Sequence, residues 1–156
     1  MTEQSKPADE SRVNLHQLML PEHANAHGNV HGGVIMRMVD EAGAICAMRH
    51  ARMPCVTISI DSMTFRQPVH LGELLICSAT VTWIGRSSIE VGVDVHAENP
   101  ITGAISHTNS AFVVYVALGA DGRPAPAPPL ALRTEEERLR FEQGRQRQAY
   151  RVGNRS

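Results

Sequence analysis

Residues 21–43 read PEHANAHGNVHGGVIMRMVDEAG, a polar, glycine-bearing loop that runs straight into an apolar helix with one acid inside its apolar run. The start of a helix carries amides without intrahelical partners and the positive end of the helix dipole, and such an end binds oxyanions. Gly28, Gly32 and Gly33 are expected to let the backbone turn tightly and approach a ligand closely. Seven residues beyond Gly33, Asp40 sits among Met36, Val39, Gly43 and Ala44, where a carboxylate is costly unless it has a partner or a task. The structural alternative pairs Asp40 with Arg37, for which Glu41 competes at i+4.

Outward from this stretch the periodicity organises the chain. The helix is expected over about 33–50, ended by Pro54, and its apolar residues on nearly every side (Val34, Ile35, Met36, Met38, Val39, Ile45, Cys46, Met48) mark it as central and buried. Before it, Val13 to Leu20 reads as a strand stopped by Pro21. After it the period becomes two: Val56, Ile58 and Ile60 alternate with Thr57, Ser59 and Asp61, and a phase slip predicts a bulge at Asp61 or Ser62. Strands follow at 74–84 and 88–97, joined as a hairpin over Gly85-Arg86-Ser87, and at 107–118. The order strand, helix, four strands reads as α+β with an antiparallel meander. Residues 1–12 are expected as a flexible tail, 13–118 as the domain, 119–133 as a stiff proline-rich linker and 134–156 as a C-terminal helix and tail. Thr134 and Glu137 form a capping box for that helix, whose Arg145, Arg147 and Arg151 read as a solvated basic end.

The 156 residues suffice for one self-sufficient core. A net charge of -1, from 15 basic and 16 acidic residues, gives no footprint for nucleic acid or an anionic membrane. No apolar run reaches membrane-spanning length, and the polar first ten residues do not read as a signal peptide, so a cytoplasmic location is the expectation. Cys46, Cys55 and Cys77 lie in apolar runs without a C-x-x-C pair and read as reduced core thiols, a poor source of a nucleophile. There is no G-x-S-x-G for a serine nucleophile. His23, His27 and His31 recur every four residues like a metal face, but Pro21 and the glycines argue against a helix there, and no metal is expected.

Two further groups are site candidates. Asn25 and Asn29 have the ordinary reading of turn formers, and the functional reading makes Asn25 a donor that fixes a water or a carbonyl oxygen. Arg86, Ser87 and Ser88 either close a hairpin or meet an anionic cofactor tail. Gly33 and Asp40 share a helix face but lie roughly 10 Å apart along the axis, so one helix does not aim both at one carbonyl. Antiparallel helices in a two-fold dimer would bring Asp40 of one chain to the loop of the other, and a dimer is also expected to cover exposed sheet edges.

The segments LMLPEHANAHGNVHGGVIMRMVDEAGAI, VTISIDSMTFRQPVHLGELL and GRSSIEVGVDV together resemble the hot-dog-fold acyl-CoA thioesterases of the cytosolic acyl-CoA hydrolase type, and the likeness continues through HTNSAFVVYVAL to the C-terminal helix. The resemblance implies a hot-dog fold, a long helix cradled by a curved five-stranded antiparallel sheet, in homodimers that assemble into a trimer of dimers. It implies hydrolysis of fatty acyl-CoA to free acid and coenzyme A, with no cofactor beyond the coenzyme A of the substrate. It places the family's active-site asparagine at Asn25, its acid at Asp40 and its helix-opening loop at His31, Gly32 and Gly33. In this reading an amide near Gly33 polarises the thioester carbonyl, and Asp40 acts as general base or nucleophile. The rival readings are an acyl-thioester hydratase or dehydratase using His31 with Asp40, and a non-catalytic acyl-CoA sensor.

Overall fold

The computed structural model describes residues 4–61 and 63–154. A five-stranded antiparallel sheet, β2 (Val13–Leu18), β3 (Cys55–Ile60), β4 (Leu74–Ile84), β5 (Ser88–Glu98) and β6 (Ile105–Ala117), curls around α1 (Gly32–Ala51). A two-stranded parallel pair, β1 (Lys6–Pro7) with β7 (Leu130–Ala131), sits apart from it, and α2 (Glu135–Gly153) ends the described chain. This is the hot-dog architecture.

Strict alternation builds the core. Along β5 the side chains of Ile89, Val91, Val93, Val95 and Ala97 face α1 at no more than 1% exposure, while Glu90, Gly92, Asp94 and His96 take the opposite face. On α1 the small residues Ala42, Cys46 and Ala47 are fully buried and let the helix lie close to the sheet. The helix stops at Arg52, which takes a left-handed conformation (φ 55°) just before Pro54. Among its apolar residues Met36, Ile45 and Met48 are exposed, so the helix that read as wholly buried presents apolar side chains outward on the protomer.

Several expectations are corrected. The spatial order is β2-β4-β5-β6-β3, so only β4, β5 and β6 form a meander; the long 61–73 connection carries the chain across the sheet, leaving β3 on the far edge beside β6. The register shift in β3 lies between Thr57 and Ser59, earlier than expected. Asp61 makes an ordinary ladder bond, its N–H donating to Phe112 O at 3.0 Å, and Ser62 lies outside the described residues. The N-terminal segment is tied down from Lys6 onward, because its strand pairs with β7 and Ser11 is buried. Lys6 Nζ also donates to Arg49 O and His50 O at 3.1 and 2.8 Å, capping orphan carbonyls of α1. The proline-rich stretch is anchored as well: Ala127 is buried and donates to Arg86 O at 2.8 Å.

The largest correction concerns α2. Thr134 Oγ1 caps it by accepting from Glu137 N at 3.0 Å, while Glu137 Oε2 takes the Arg133 N–H at 2.7 Å instead of completing the box on Thr134. Arg147 and Arg151 are not solvated: both pair with Glu90, which is 0% exposed on the outer face of the sheet. Gly144 makes the docking possible, since a Cβ there would lie 2.6 Å from Trp83 Cβ and 2.9 Å from Glu90 Oε1. Burial alone would push the Glu90 carboxyl up, but the hydrogen bonds from Arg147, Thr82 and Arg151 outweigh it and hold the group below the usual carboxylate range.

Candidate active site

Asp40 stands on the third turn of α1, beside β3. Its Oδ1 accepts hydrogen bonds from Thr57 Oγ1 at 2.9 Å and Tyr115 Oη at 3.1 Å. Tyr115 is fully buried in β6 and also reaches Asp40 O at 3.0 Å. That approach requires Gly43, because a Cβ there would overlap the Tyr115 hydroxyl. Burial, together with the charge of Asp40, pushes the Tyr115 phenol far above its ordinary value, so it remains a proton donor. Arg37 turns away to Glu41 at 3.0 Å, which removes the ion-pair reading of Asp40. The carboxylate is therefore not isolated among apolar groups: two hydroxyls orient Oδ1, and the described hydrogen bonds leave Oδ2 for a further partner.

The loop before α1 is a compact turn built on Asn25. Asn25 Oδ1 accepts from His27 N and Asn29 N at 2.9 and 3.1 Å, and the Asn25 N–H donates to Asn29 O at 2.7 Å. The turn-forming reading of Asn25 holds for Oδ1, and Nδ2 is the end of the amide left to donate. Gly28 has φ +82°, whereas Gly32 and Gly33 lie in the first helical turn without positive φ, so the conformational argument holds for Gly28 alone. Gly32 leaves room for Phe65, whose ring carbons would stand 3.4 Å from a Cβ, and Gly33 has open space. His31 is the exposed N-cap, without a side-chain cap bond, and Val34 N and Ile35 N begin the ladder on His31 O. The amides of Gly32 and Gly33 precede that ladder and are the orphan donors of the helix start.

Arg86, Ser87 and Ser88 lie at the other end of α1. Ser87 O accepts from Ala117 N, next to Leu118, which bonds Pro54, so this hairpin stands beside the end of α1 and not its start. Within one protomer it is not brought to Asn25. His23 serves the turn, its Nδ1 accepting from Leu20 N at 2.9 Å, and among the described residues no three potential ligands are placed for a metal. Burial raises the thiols of Cys46 and Cys55 to about 11 and Cys77 to about 12, which makes them inert. Clefts of about 350 and 120 Å³, one between Phe112 and Arg147 and one beside Val34 and Arg37, are lined by neither Asn25 nor Asp40.

Sequence reasoning missed Thr57 and Tyr115. Thr57 read only as one of the polar residues that alternate with Val56, Ile58 and Ile60. Tyr115 carried a signal, since a tyrosine within the apolar run of β6 needs a partner for its hydroxyl.

Comparison with known proteins now decides the family. Residues 27–104 match the model of the thioesterase superfamily. A structure described as an apo-hexameric acyl-CoA thioesterase superimposes with a TM-score of 0.90 at 37% identity, covering 96% of both chains. The chain belongs to the thioesterase superfamily. Thioesterase relatives include the human cytosolic acyl coenzyme A thioester hydrolase, 36% identical over 139 residues; the match covers 88% of this chain but only 37% of that longer protein. An acyl-CoA hydrolase from Staphylococcus aureus, solved with butyryl coenzyme A and coenzyme A, has 30% identity and a TM-score of 0.87, covering 96% of this chain and 91% of its own. That thioesterase was also solved as Asn-to-Ala, Asp-to-Ala and Thr-to-Ala mutants. The mutated asparagine lies 15 residues before the aspartate, and the aspartate 17 before the threonine, the same intervals that separate Asn25, Asp40 and Thr57 here. Among the described residues no helix is long and apolar enough to cross a membrane.

Proposed function

We propose that the protein is an acyl-CoA thioesterase, releasing a free carboxylic acid and coenzyme A, and that Asp40 carries the chemistry. The observation that carries this reading is the Asp40 carboxylate itself, oriented through Oδ1 by Thr57 and Tyr115 with Oδ2 left for the reaction. As general base, Oδ2 takes a proton from water while the water oxygen attacks the thioester carbonyl carbon. The carbonyl electrons move to the oxygen, which the amide of Gly33 at a helix start stabilises; one such donor is worth ~3 kcal/mol. Collapse expels the thiolate, a good leaving group, and the proton on Asp40 passes to it. As nucleophile, the same oxygen attacks the carbonyl, the C–S bond breaks to release the thiolate, and water then opens the resulting anhydride to the free acid and the Asp40 carboxylate, its remaining proton going to the thiolate. Asn25 Nδ2 orients the water or the thioester.

The site is completed by a second copy of the chain. β3 is an edge strand with Val56 and Ile58 exposed, and α1 beside it exposes Met36, Ile45 and Met48. An unpaired edge beside exposed apolar side chains favours pairing with an identical edge. The partner then supplies the helix start that lies roughly 10 Å from Asp40 within one chain. Arg86, Ser87 and Ser88 are the proposed contact for the anionic part of coenzyme A. A homodimer assembled into a trimer of dimers is the proposed state, in a cytoplasmic setting.

The test is free-thiol release from short-, medium- and long-chain acyl-CoA. Asp40→Asn should lower turnover by roughly 10²-fold or more, and Asn25→Ala by a smaller factor, without loss of folding. An Asp40→Asn loss below about threefold would overturn the base assignment. A mixed dimer of Asn25→Ala and Asp40→Asn chains should recover activity if the sites are shared. Solvent deuterium at the acyl alpha carbon without hydrolysis would instead mark a hydratase.

A further inference from the structure

We propose that the pair Arg151–Asp61 is a positioning device for the reaction, through which α2 on the outer face of the sheet fixes Thr57 on the inner side. The proposal rests on the thioesterase reading above. Arg151 grips Asp61 with two bonds, Nε to Oδ1 at 3.0 Å and Nη2 to Oδ2 at 2.8 Å, and its Nη2 also reaches Glu90 Oε2 at 2.6 Å. Only 11% of the Arg151 side chain is exposed, so this is an anchored contact and not a solvated surface pair.

The place of Asp61 gives the contact its consequence. β3 is an edge strand held by β6 alone, and its ladder is broken by the register shift directly after Thr57. Beyond that break the strand keeps only the rungs of Ser59 and Ile60 and the bond from Asp61 N to Phe112 O. An edge strand with one ladder and an irregularity is the part of a sheet most prone to local opening. The clasp on Asp61 holds its far end from the other face. What it holds in register is Thr57 Oγ1, 2.9 Å from Asp40 Oδ1. It also fixes the entry of the connection that places the Phe65 ring against Gly32 at the helix start. A carboxylate oxygen oriented by two hydroxyls, one of them on an edge strand, is sensitive to small displacements of that strand, and an error of about 1 Å in such a group can cost up to 10²-fold in rate. Arg151 and Asp61 touch no reacting atom; they act through Thr57.

Asp61→Asn keeps the shape and removes the charge that Arg151 grips, while leaving Glu90 paired with both arginines. It should lower kcat roughly fivefold with little change in KM. In a Thr57→Val background the same substitution should cost nothing further, the non-additivity expected of residues acting through one contact. Arg145→Ala, which breaks only an exposed α2 pair, is the control for a general charge effect and should leave kcat unchanged. Amide exchange at Ser59, Ile60 and Asp61 should rise in Asp61→Asn, a readout that needs no turnover. A kcat within 1.5-fold of wild type, a loss that adds fully to that of Thr57→Val, or unchanged exchange would each overturn the clasp. Absence of thiol release by the wild type would overturn the thioesterase reading instead, leaving the exchange result to judge the clasp by itself.

Discussion

The two faces of the sheet each receive a helix, and they receive it by opposite means. On the inner face α1 packs against a dry layer of Val, Ile and Ala, and Asp40 sits at the margin, half-buried and held by hydroxyls, with Glu41 turned out to Arg37. On the outer face α2 packs around an acid at the centre: Glu90 is fully buried and neutralised by Arg147 and Arg151. The difference separates tasks. A carboxylate kept at the margin with one free oxygen is available for chemistry, whereas a carboxylate saturated by two guanidinium groups and Thr82 is available only for docking. Glu90→Ala should break that division most visibly. Removing one partner from a buried ion pair leaves uncompensated charge. The cost should be about 3 kcal/mol, at the low end because Arg147 keeps 27% of its side chain exposed. Thermal unfolding should then fall by roughly 6–12 °C; a fall under about 2 °C would mean that α2 does not depend on this acid.

Asp40→Asn is the matching change on the inner face and should show the reverse profile. Asparagine still offers Oδ1 to Thr57 and Tyr115, so the melting temperature should hardly move, while thiol release falls by roughly 10²-fold. A protein destabilised as much as by Glu90→Ala would make Asp40 a structural acid after all.

The two buried glycines sharpen the comparison at smaller magnitude. Gly43 admits the Tyr115 hydroxyl to α1, and Gly144 admits Trp83 and Glu90 to α2. Alanine at either position forces overpacking worth about 1–3 kcal/mol. Gly43→Ala should lower both stability and turnover, because Tyr115 then loses Asp40. Gly144→Ala should lower stability with the smaller effect on rate, reaching turnover only through the Arg151–Asp61 contact, and a rate loss equal to that of Gly43→Ala would show that α2 bears on Asp40 by more than that contact.

The inner face was legible in the sequence because its signals are periodic. The alternation of Ile89 to Ala97 and the largely apolar α1 specify a sheet wrapped on a helix, and Asn25, Asp40 and the loop between them carried the candidate site. The outer face was not legible, because α2 has almost no apolar stripe: its anchors are Gly144, Arg147 and Arg151, which on a helix of Glu, Arg and Gln look like a solvated surface. Glu90 was a signal in principle, an acid between Ile89 and Val91 whose neighbours on the outer side need a cover, but nothing local names the partner 57 residues away. The position of β3 failed for a related reason. Register follows hydrophobic pattern, but which edge a strand occupies follows from the path of the 61–73 connection, and β3 shows the same alternation beside β4 or β6.

The last contrast is in pH. His50 closes the far end of α1, fully buried, with Nε2 donating to Pro128 O at 2.7 Å and Nδ1 without a hydrogen-bond partner among the described residues. Burial, more than the nearby charge of Lys6, holds its pKa below the ordinary 6.5. The unfolded chain therefore takes up a proton near pH 6.5 that the folded chain refuses, and stability falls as the pH drops from about 6.5 toward the lowered folded value, by at most about 1.4 kcal/mol per pH unit. Glu90 works in a different window. Its folded pKa is depressed, so its contribution is whole above the unfolded value of 4.5 and is lost only as the pH falls through the still lower folded value. Urea midpoints between pH 7.5 and 5.5 should thus decline in the wild type and flatten in His50→Gln, while Glu90→Gln keeps the decline. A decline that survives in His50→Gln would assign the acid sensitivity to other groups and remove His50 from the account.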